Sequence, residues 1–165
     1  MLVQQNINGS NFFNRSWAEY KAGFNDSNGN YWIGNDRLSQ LTLTDRYTLR
    51  VELQQRDLSW YWAEYSYFTV LGESHNYTLL VSGYSGNADD ALSYHHGMMF
   101  TTYDRDNDPW NDKGFDTDNN CAVYHGGGFW YKTCVICGVN VGRGRGQDFI
   151  WYSIRLRTSR MWLTC

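Results

Sequence analysis

Between Asp104 and Asp108 the chain reads Asp-Arg-Asp-Asn-Asp. Carboxylates at every second position of an extended loop can aim several oxygens at one point, which suits a hard cation such as calcium and its six to eight oxygen ligands. An EF-hand is excluded: its sixth position would be Pro109, where glycine is needed, and its twelfth would be Phe115. Asp112, Asp116 and Asp118 follow, so charge for a site of another kind is at hand. The competing reading is an acidic loop that is simply solvated.

The cysteines stand at 121, 134, 137 and 165, which allows three pairings. Cys134-Val135-Ile136-Cys137 is a C-x-x-C. A redox motif of that form should open a helix that lowers the thiol pKa, but Gly138, Gly142, Gly144 and Gly146 follow. A zinc site would want a second close pair, and Cys121 and Cys165 lie far apart. Two disulfides are therefore the expectation. His95 and His96 have Ser93 and Asp89 nearby, yet no nucleophile elbow or oxyanion motif surrounds them. They read as structural or ligand-contacting histidines. No nucleophile, base and oxyanion set can be named, so the protein reads as a non-enzyme. The Gly142–Gly146 Arg-Gly run is too short for RNA binding and reads as a turn.

These groups need a scaffold, and 165 residues provide one domain with a sizeable core. The formal charge of −3 argues against a nucleic-acid partner. No apolar run approaches the roughly 18 residues of a membrane span, so no membrane insertion is expected. Met1-Leu2-Val3 runs straight into Gln4 and Gln5, as expected where a leader has been removed or the segment is cut from a longer protein. The aromatic share of 18%, with 13 Tyr and 8 Trp, suits half-buried surfaces and binding sites. Sequons at Asn8, Asn14, Asn25 and Asn76 lean toward a secreted glycoprotein.

Phe13, Trp17, Tyr20 and Phe24 fall at gaps of four, three and four, which predicts a helix over 13–24. Ser16 to Glu19 reads as its capping box and Gly23 as its stop. A second short helix is expected over 36–41. Strands are expected over 47–54, 60–70 and 77–82, and in the alternation of Tyr152, Ile154 and Leu156. Between about Ser85 and Gly146 periodicity disappears, and long irregular stretches of that kind are usually functional. The fold class is α+β: a central twisted antiparallel sheet with one or two short helices, residues 1–84 forming the helix and sheet part and 85–165 a loop-rich calcium- and ligand-binding part with a closing strand.

Trp17-Ala18-Glu19-Tyr20-Lys21 with Gly23-Phe24, then Tyr31 to Asp36, Tyr47 to Leu53, Gly83 to His95, Met99-Phe100 with Thr102 and Asp104, Asn120-Cys121-Ala122 and Trp130-Tyr131-Lys132 with Cys134 stand in one order along the sequence. That series resembles the fibrinogen-like (fibrinogen C-terminal) domain of the lectin type seen in ficolins and tachylectins, over nearly the whole length. The family's N-terminal portion, with its first disulfide, has no counterpart here. The resemblance implies calcium as cofactor, with Asp106 and Asp108 giving side-chain oxygens and Trp110 and Asp112 backbone carbonyls. It implies a Cys121–Cys134 disulfide, and leaves Cys137 and Cys165 to pair with each other. It also implies an acetyl-binding pocket beside the calcium loop, where this sequence has His125 with Tyr124, then Val135 where a His is usual, and Tyr152 as the late aromatic. The intervening segment is about ten residues shorter than the family pattern. An acetyl carbonyl buried without a donor forfeits roughly 1–3 kcal/mol.

Two functions are expected to compete. One is a secreted, extracellular pattern-recognition lectin of innate immunity type for acetylated or other glycans. Its apolar walls would be Tyr124, His125, Phe129, Trp130 and Tyr152, with His95 or His96 as a polar contact. The other is a protein-binding module that meets a receptor or matrix protein on the same surface. A weak single site favours a homo-oligomer.

Overall fold

A computed structural model describes residues 1–111, 119–141 and 149–165. In sequence order the elements are β1 (Leu2–Ile7), α1 (Trp17–Ala22), β2 (Phe24–Asn25), β3 (Tyr31–Trp32), α2 (Asn35–Thr44), β4 (Thr48–Gln55), β5 (Trp60–Val70), β6 (Leu79–Gly86), α3 (Cys121–His125), β7 (Ile150–Trp151) and β8 (Ile154–Thr164). The strands form one antiparallel sheet in the order β2-β3-β1-β8-β4-β5-β6, with β7 pairing to β8. The α+β class and the central antiparallel sheet expected from the sequence are present.

The predicted 13–24 helix is shorter than its periodicity. Ser16 Oγ accepts from Glu19 N while Glu19 Oε2 accepts from Ser16 N, so the capping box forms and the helix starts at Trp17. Gly23, at φ 93°, ends it. Phe13 sits in a separate 3-10 turn, and Phe24 is already in β2. Both rings still meet, 5.7 Å apart, so the apolar spacing reports a shared cluster more than one helix. The second helix runs to Thr44, three residues past its expected end.

Leu49, Val51 and Leu53 of β4 are fully buried, while Arg50 and Glu52 face outward, as the alternation requires. β8, over 154–164, is the last strand in sequence order. It lies in the middle, between β1 and β4, with Val51 opposite Met161 and Gln5 opposite Arg160. Tyr152 does not belong to β8: it takes φ 52° in the turn between β7 and β8.

On the inner face the core is built of rings whose polar edges are satisfied. Tyr20 OH donates to Phe13 O at 2.6 Å and accepts from Gly128 N at 2.9 Å, and Trp32 Nε1 donates to Asn35 Oδ1. The long loop region is tied to this face by buried polar groups of the sheet. Gln4 Nε2 and Asn6 Nδ2 both donate to Val139 O at 2.9 Å.

One disulfide is present, Cys121–Cys134, with the Cα atoms 5.2 Å apart. The expected Cys137–Cys165 bridge is not: both thiols are free, Cys137 buried and Cys165 exposed. Cys137 pairs through its backbone with Trp151, just before β8 begins, and Cys165 follows the last residue of β8. Eleven residues of strand separate those points, roughly 35 Å, against the roughly 7 Å limit between the Cα atoms of a disulfide. Alkylation of the unreduced native protein is expected to add one label, at Cys165, and a second at Cys137 only after unfolding. Mass spectrometry of the labelled peptides checks this, and no label on the unfolded, unreduced protein would restore the bridge.

Candidate functional site

The acidic loop is held at both ends by hydrogen bonds to regular structure. Asp104 Oδ1 accepts Trp17 N at 2.9 Å, at the first residue of α1. Asp108 accepts Trp110 N on one carboxylate oxygen and Cys121 N on the other, each at 2.9 Å. Asp106 Oδ1 accepts Asp108 N at 3.1 Å. Burial pushes the Asp108 carboxyl up to about 6, the two N–H bonds offset part of that rise, and the Asp106 charge adds to it.

Neither Asp106 nor Asp108 has an ion-pair partner among the described residues. Two close carboxylates, one of them half-buried and uncompensated, form an oxygen-only donor set of the kind a hard divalent cation satisfies. Among the described residues no three His, Cys, Asp or Glu side chains converge to hold a metal. A cation here would therefore need backbone oxygens as well, and Trp110 stands two residues beyond Asp108. The fourth expected ligand, Asp112, lies outside the described residues, as do Asp116, Asp118 and the Gly142–Gly146 run.

Past Asp108 the sequence leads into α3. Asn120 Oδ1 accepts from Ala122 N and Val123 N, and its Nδ2 donates to Thr102 O, so one amide both caps the helix and pins it to the acidic loop. Asn120 does not stand out in the sequence as a site-building residue, although an Asn before a short helix is a cap signal. α3 carries Tyr124 and His125. The Tyr124 ring lies 6.0 Å from Trp110, His125 lies 4.9 Å from Tyr124, and Tyr131 stacks on His125 at 5.7 Å. A continuous wall of rings thus runs from the acidic loop at Trp110 inward to the buried His125 and Tyr131. Tyr131, buried, is a member of it that no sequence signal marks.

The disulfide brings the 134–136 segment to α3, and Tyr152 N donates to Ile136 O at 2.7 Å, which sets the exposed Tyr152 ring beside it. Tyr124, Val135 and Tyr152 are in this way linked through the disulfide, while His125, expected as a contact, is buried beneath Tyr124 at 7% exposure and supports it from inside. Four other expected contacts do not join them. Phe129 and Trp130 are fully buried, with Trp130 Nε1 donating to Tyr77 O at 2.7 Å, so they support the wall from inside and cannot touch a ligand. His95 is buried too, edge-on to Phe129 at 5.2 Å. His96 is exposed but turned to β6, where its Nδ1 lies 3.0 Å from Val81 N and 2.9 Å from Val81 O.

His95 is an internal pH-sensitive support. Its Nδ1 lies 2.8 Å from Trp130 O, which can only accept, so the proton sits on Nδ1. Nε2 has no hydrogen-bond partner among the described residues. Burial pushes the pKa down to about 4, and the Lys132 charge adds a little. A depressed histidine holds its proton less tightly folded than unfolded. Its contribution to stability is therefore complete above the unfolded value near 6.5 and falls as pH drops toward 4. From about pH 7 to about pH 5 the loss is on the order of 2 kcal/mol. Urea midpoints over that range should fall in the parent protein, and the slope should flatten in His95→Asn, whose amide still reaches the Trp130 carbonyl.

The family model for the C-terminal globular domain of the fibrinogen beta and gamma chains matches residues 1–155. The protein belongs to the fibrinogen C-terminal domain family. It is 40% identical to human ficolin-3 over 85% of its own length and 45% of that protein. The fibrinogen-like globe domain of human ANGPTL2 superposes with a TM-score of 0.87 at 34% identity, over 99% of this sequence and 78% of that one. Lamprey fibrin D-dimer, solved with the peptide ligand Gly-His-Arg-Pro-amide, superposes with a TM-score of 0.85 at 27% identity, over 98% of this sequence and 60% of that one. The sequence spans about half or less of the length of the curated relatives it matches. Domains of this family are non-catalytic, and its relatives are extracellular proteins. Among the described residues no helix is long and apolar enough to cross a membrane.

Proposed function

We propose that this protein is a secreted, calcium-supported recognition domain that binds an acetylated or other glycan at the surface around Cys121–Cys134. The observation that carries this reading is the continuity of the ring wall with the acidic loop: Trp110 sits in the loop and its ring touches Tyr124. Calcium would be held by the Asp106 and Asp108 carboxylates, with the Trp110 carbonyl and Asp112 completing the protein's share. Bound there, the ion supplies positive charge to two carboxylates that lack it. Asp108 would then hold Cys121 N and Trp110 N in a fixed geometry, and through them the Tyr124 and His125 wall. Small concave sites of this type need only a few fixed polar groups among apolar walls.

A second reading, a protein partner on the same surface, is favoured by one observation. Val135, next to Cys134, is partly buried and offers no side-chain donor, and Val123 on α3 is 42% exposed. That apolar character suits a peptide or protein side chain as well as a sugar, and the lamprey relative was solved with a peptide ligand.

Retention on immobilised N-acetylglucosamine separates the two. The glycan reading expects retention that is lost to EDTA and to free acetate. A protein that ignores the column while calcium still raises its melting temperature would support the second reading. No effect of calcium on melting, with or without retention, would overturn the calcium assignment.

A further inference from the structure

We propose that the outward face of the sheet, around Trp60, Trp62 and Trp162, is a second binding site that takes a neutral oligosaccharide without calcium. This goes beyond the surface at Cys121–Cys134, and neither assignment depends on the other. The two lie on opposite faces: Gln4 and Ser159 point inward to the loops, while Gln5 and Arg160 point outward.

The solvated face of an antiparallel sheet normally carries polar residues. Here β5 and β8 place three tryptophans on it, with Trp60 46% exposed. Register sets Trp62 opposite Glu52, Glu52 opposite Arg160, and Arg50 between Glu64 and Trp162. The Arg50 guanidinium lies 4.8 Å from the centre of the Trp62 ring, and that of Arg160 lies 5.1 Å from that of Trp60. Each arginine is held in turn: Arg50 by Glu64 at 2.8 Å and Glu52 at 3.3 Å, and Arg160 by Gln5 at 2.8 Å. Trp162 Nε1 donates to Glu52 Oε2 at 3.1 Å. The rings are fixed before any ligand arrives, which lowers the ordering cost of binding.

The chemistry of the face selects the occupant. Around the cleft two arginines are matched by two glutamates, and the further exposed arginines of this face, Arg155 and Arg157, lie beyond it toward the start of β8, so the cleft itself carries no net charge to attract a polyanion or a polycation. A protein partner would have to strip water from four charges, which is costly, and the centres of protein interfaces are depleted in glutamate. A sugar keeps those charges satisfied, because its hydroxyls replace water as donors and acceptors while its C–H face lies on an indole. The cleft between Arg50, Glu52, Trp60, Tyr61, Trp62 and Arg160 measures about 260 Å³. That is below the roughly 300–1,000 Å³ of drug-sized sites, a shallow cleft with room for one or two sugar rings.

The test titrates the protein with laminarihexaose and cellohexaose in EDTA and again in calcium, followed by tryptophan fluorescence and calorimetry. Heparin hexasaccharide is the polyanion control. The expected result is binding of at least one neutral hexasaccharide, equal in EDTA and calcium and unaffected by free acetate. Trp60→Ala should weaken it about tenfold, the loss of one stacking contact, and Arg160→Gln should weaken it with the fold intact. Tyr152→Ala, at the other site, should leave it unchanged. Absence of neutral-sugar binding, preference for heparin, or insensitivity to both Trp60→Ala and Arg160→Gln would overturn the proposal. So would a dimer in sedimentation that Trp60→Ala dissolves, since a second copy would then cover the face.

Discussion

Replacing Cys121 and Cys134 together by serine is expected to destabilise the protein by about 3 kcal/mol and to weaken the proposed calcium binding with it. The first effect follows from the 13-residue separation of the two cysteines, since a closed loop of about that size limits the unfolded ensemble by about that amount. The second follows from connectivity. Cys121 N donates to Asp108, and α3 beyond it carries Tyr124 and His125. Without the bridge, α3 is still held by the Asp108 and Thr102 hydrogen bonds and the packing of Ala122. The 134–136 segment loses its covalent tie to it, however, so the acidic loop and that segment no longer share a fixed neighbour. Urea melts give the first quantity and calorimetric calcium titration the second. A double variant that loses stability but keeps its calcium affinity would show that the loop holds its geometry independently of α3.

Trp130→Ala is expected to cost more, about 3–5 kcal/mol. The side chain has no exposed surface and meets Phe100 at 5.3 Å, Phe129 at 5.4 Å and Trp32 at 6.2 Å, so its removal opens a cavity that rigid neighbours cannot close. It also strands the Tyr77 carbonyl, which accepts its Nε1–H. Trp130→Phe separates the two contributions: it keeps most of the ring volume and loses the hydrogen bond, and should cost about 1–3 kcal/mol. Melting curves of both variants decide this. Near-neutral behaviour of Trp130→Ala would mean that the residue lines a binding surface, as its sequence context first suggests, and not the core.

The resemblance in the sequence and the alternation of β4 were sufficient for the fold class, because period-two burial is a local property of a strand with one dry face. β1 was not legible. Leu2–Ile7 carries Gln4 and Asn6 on its inner side, polar residues that break the apolar pattern, and they face inward because the Val139 and Val141 carbonyls and Ser159 satisfy them there. The candidate site was half legible. Tyr124, Val135 and Tyr152 are linked through the disulfide, whereas His125, Phe129, Trp130 and His95, expected as site walls or contacts, are buried. A Tyr, Trp or His can serve a surface or a core equally well, and nothing in its neighbours along the sequence says which side of the sheet covers it.

Features that depend on near neighbours could thus be read from the residues alone: the capping box that starts α1 at Trp17, the strand faces, and the alternate carboxylates of the acidic loop. Features that depend on distant partners were decided by the packed molecule. Packing set Asp108 against Cys121, placed β8 at the centre of the sheet, and held Cys137 and Cys165 apart by the length of that strand. Spacing along a sequence constrains geometry over a turn or a strand. Over a hundred residues only packing decides which groups meet.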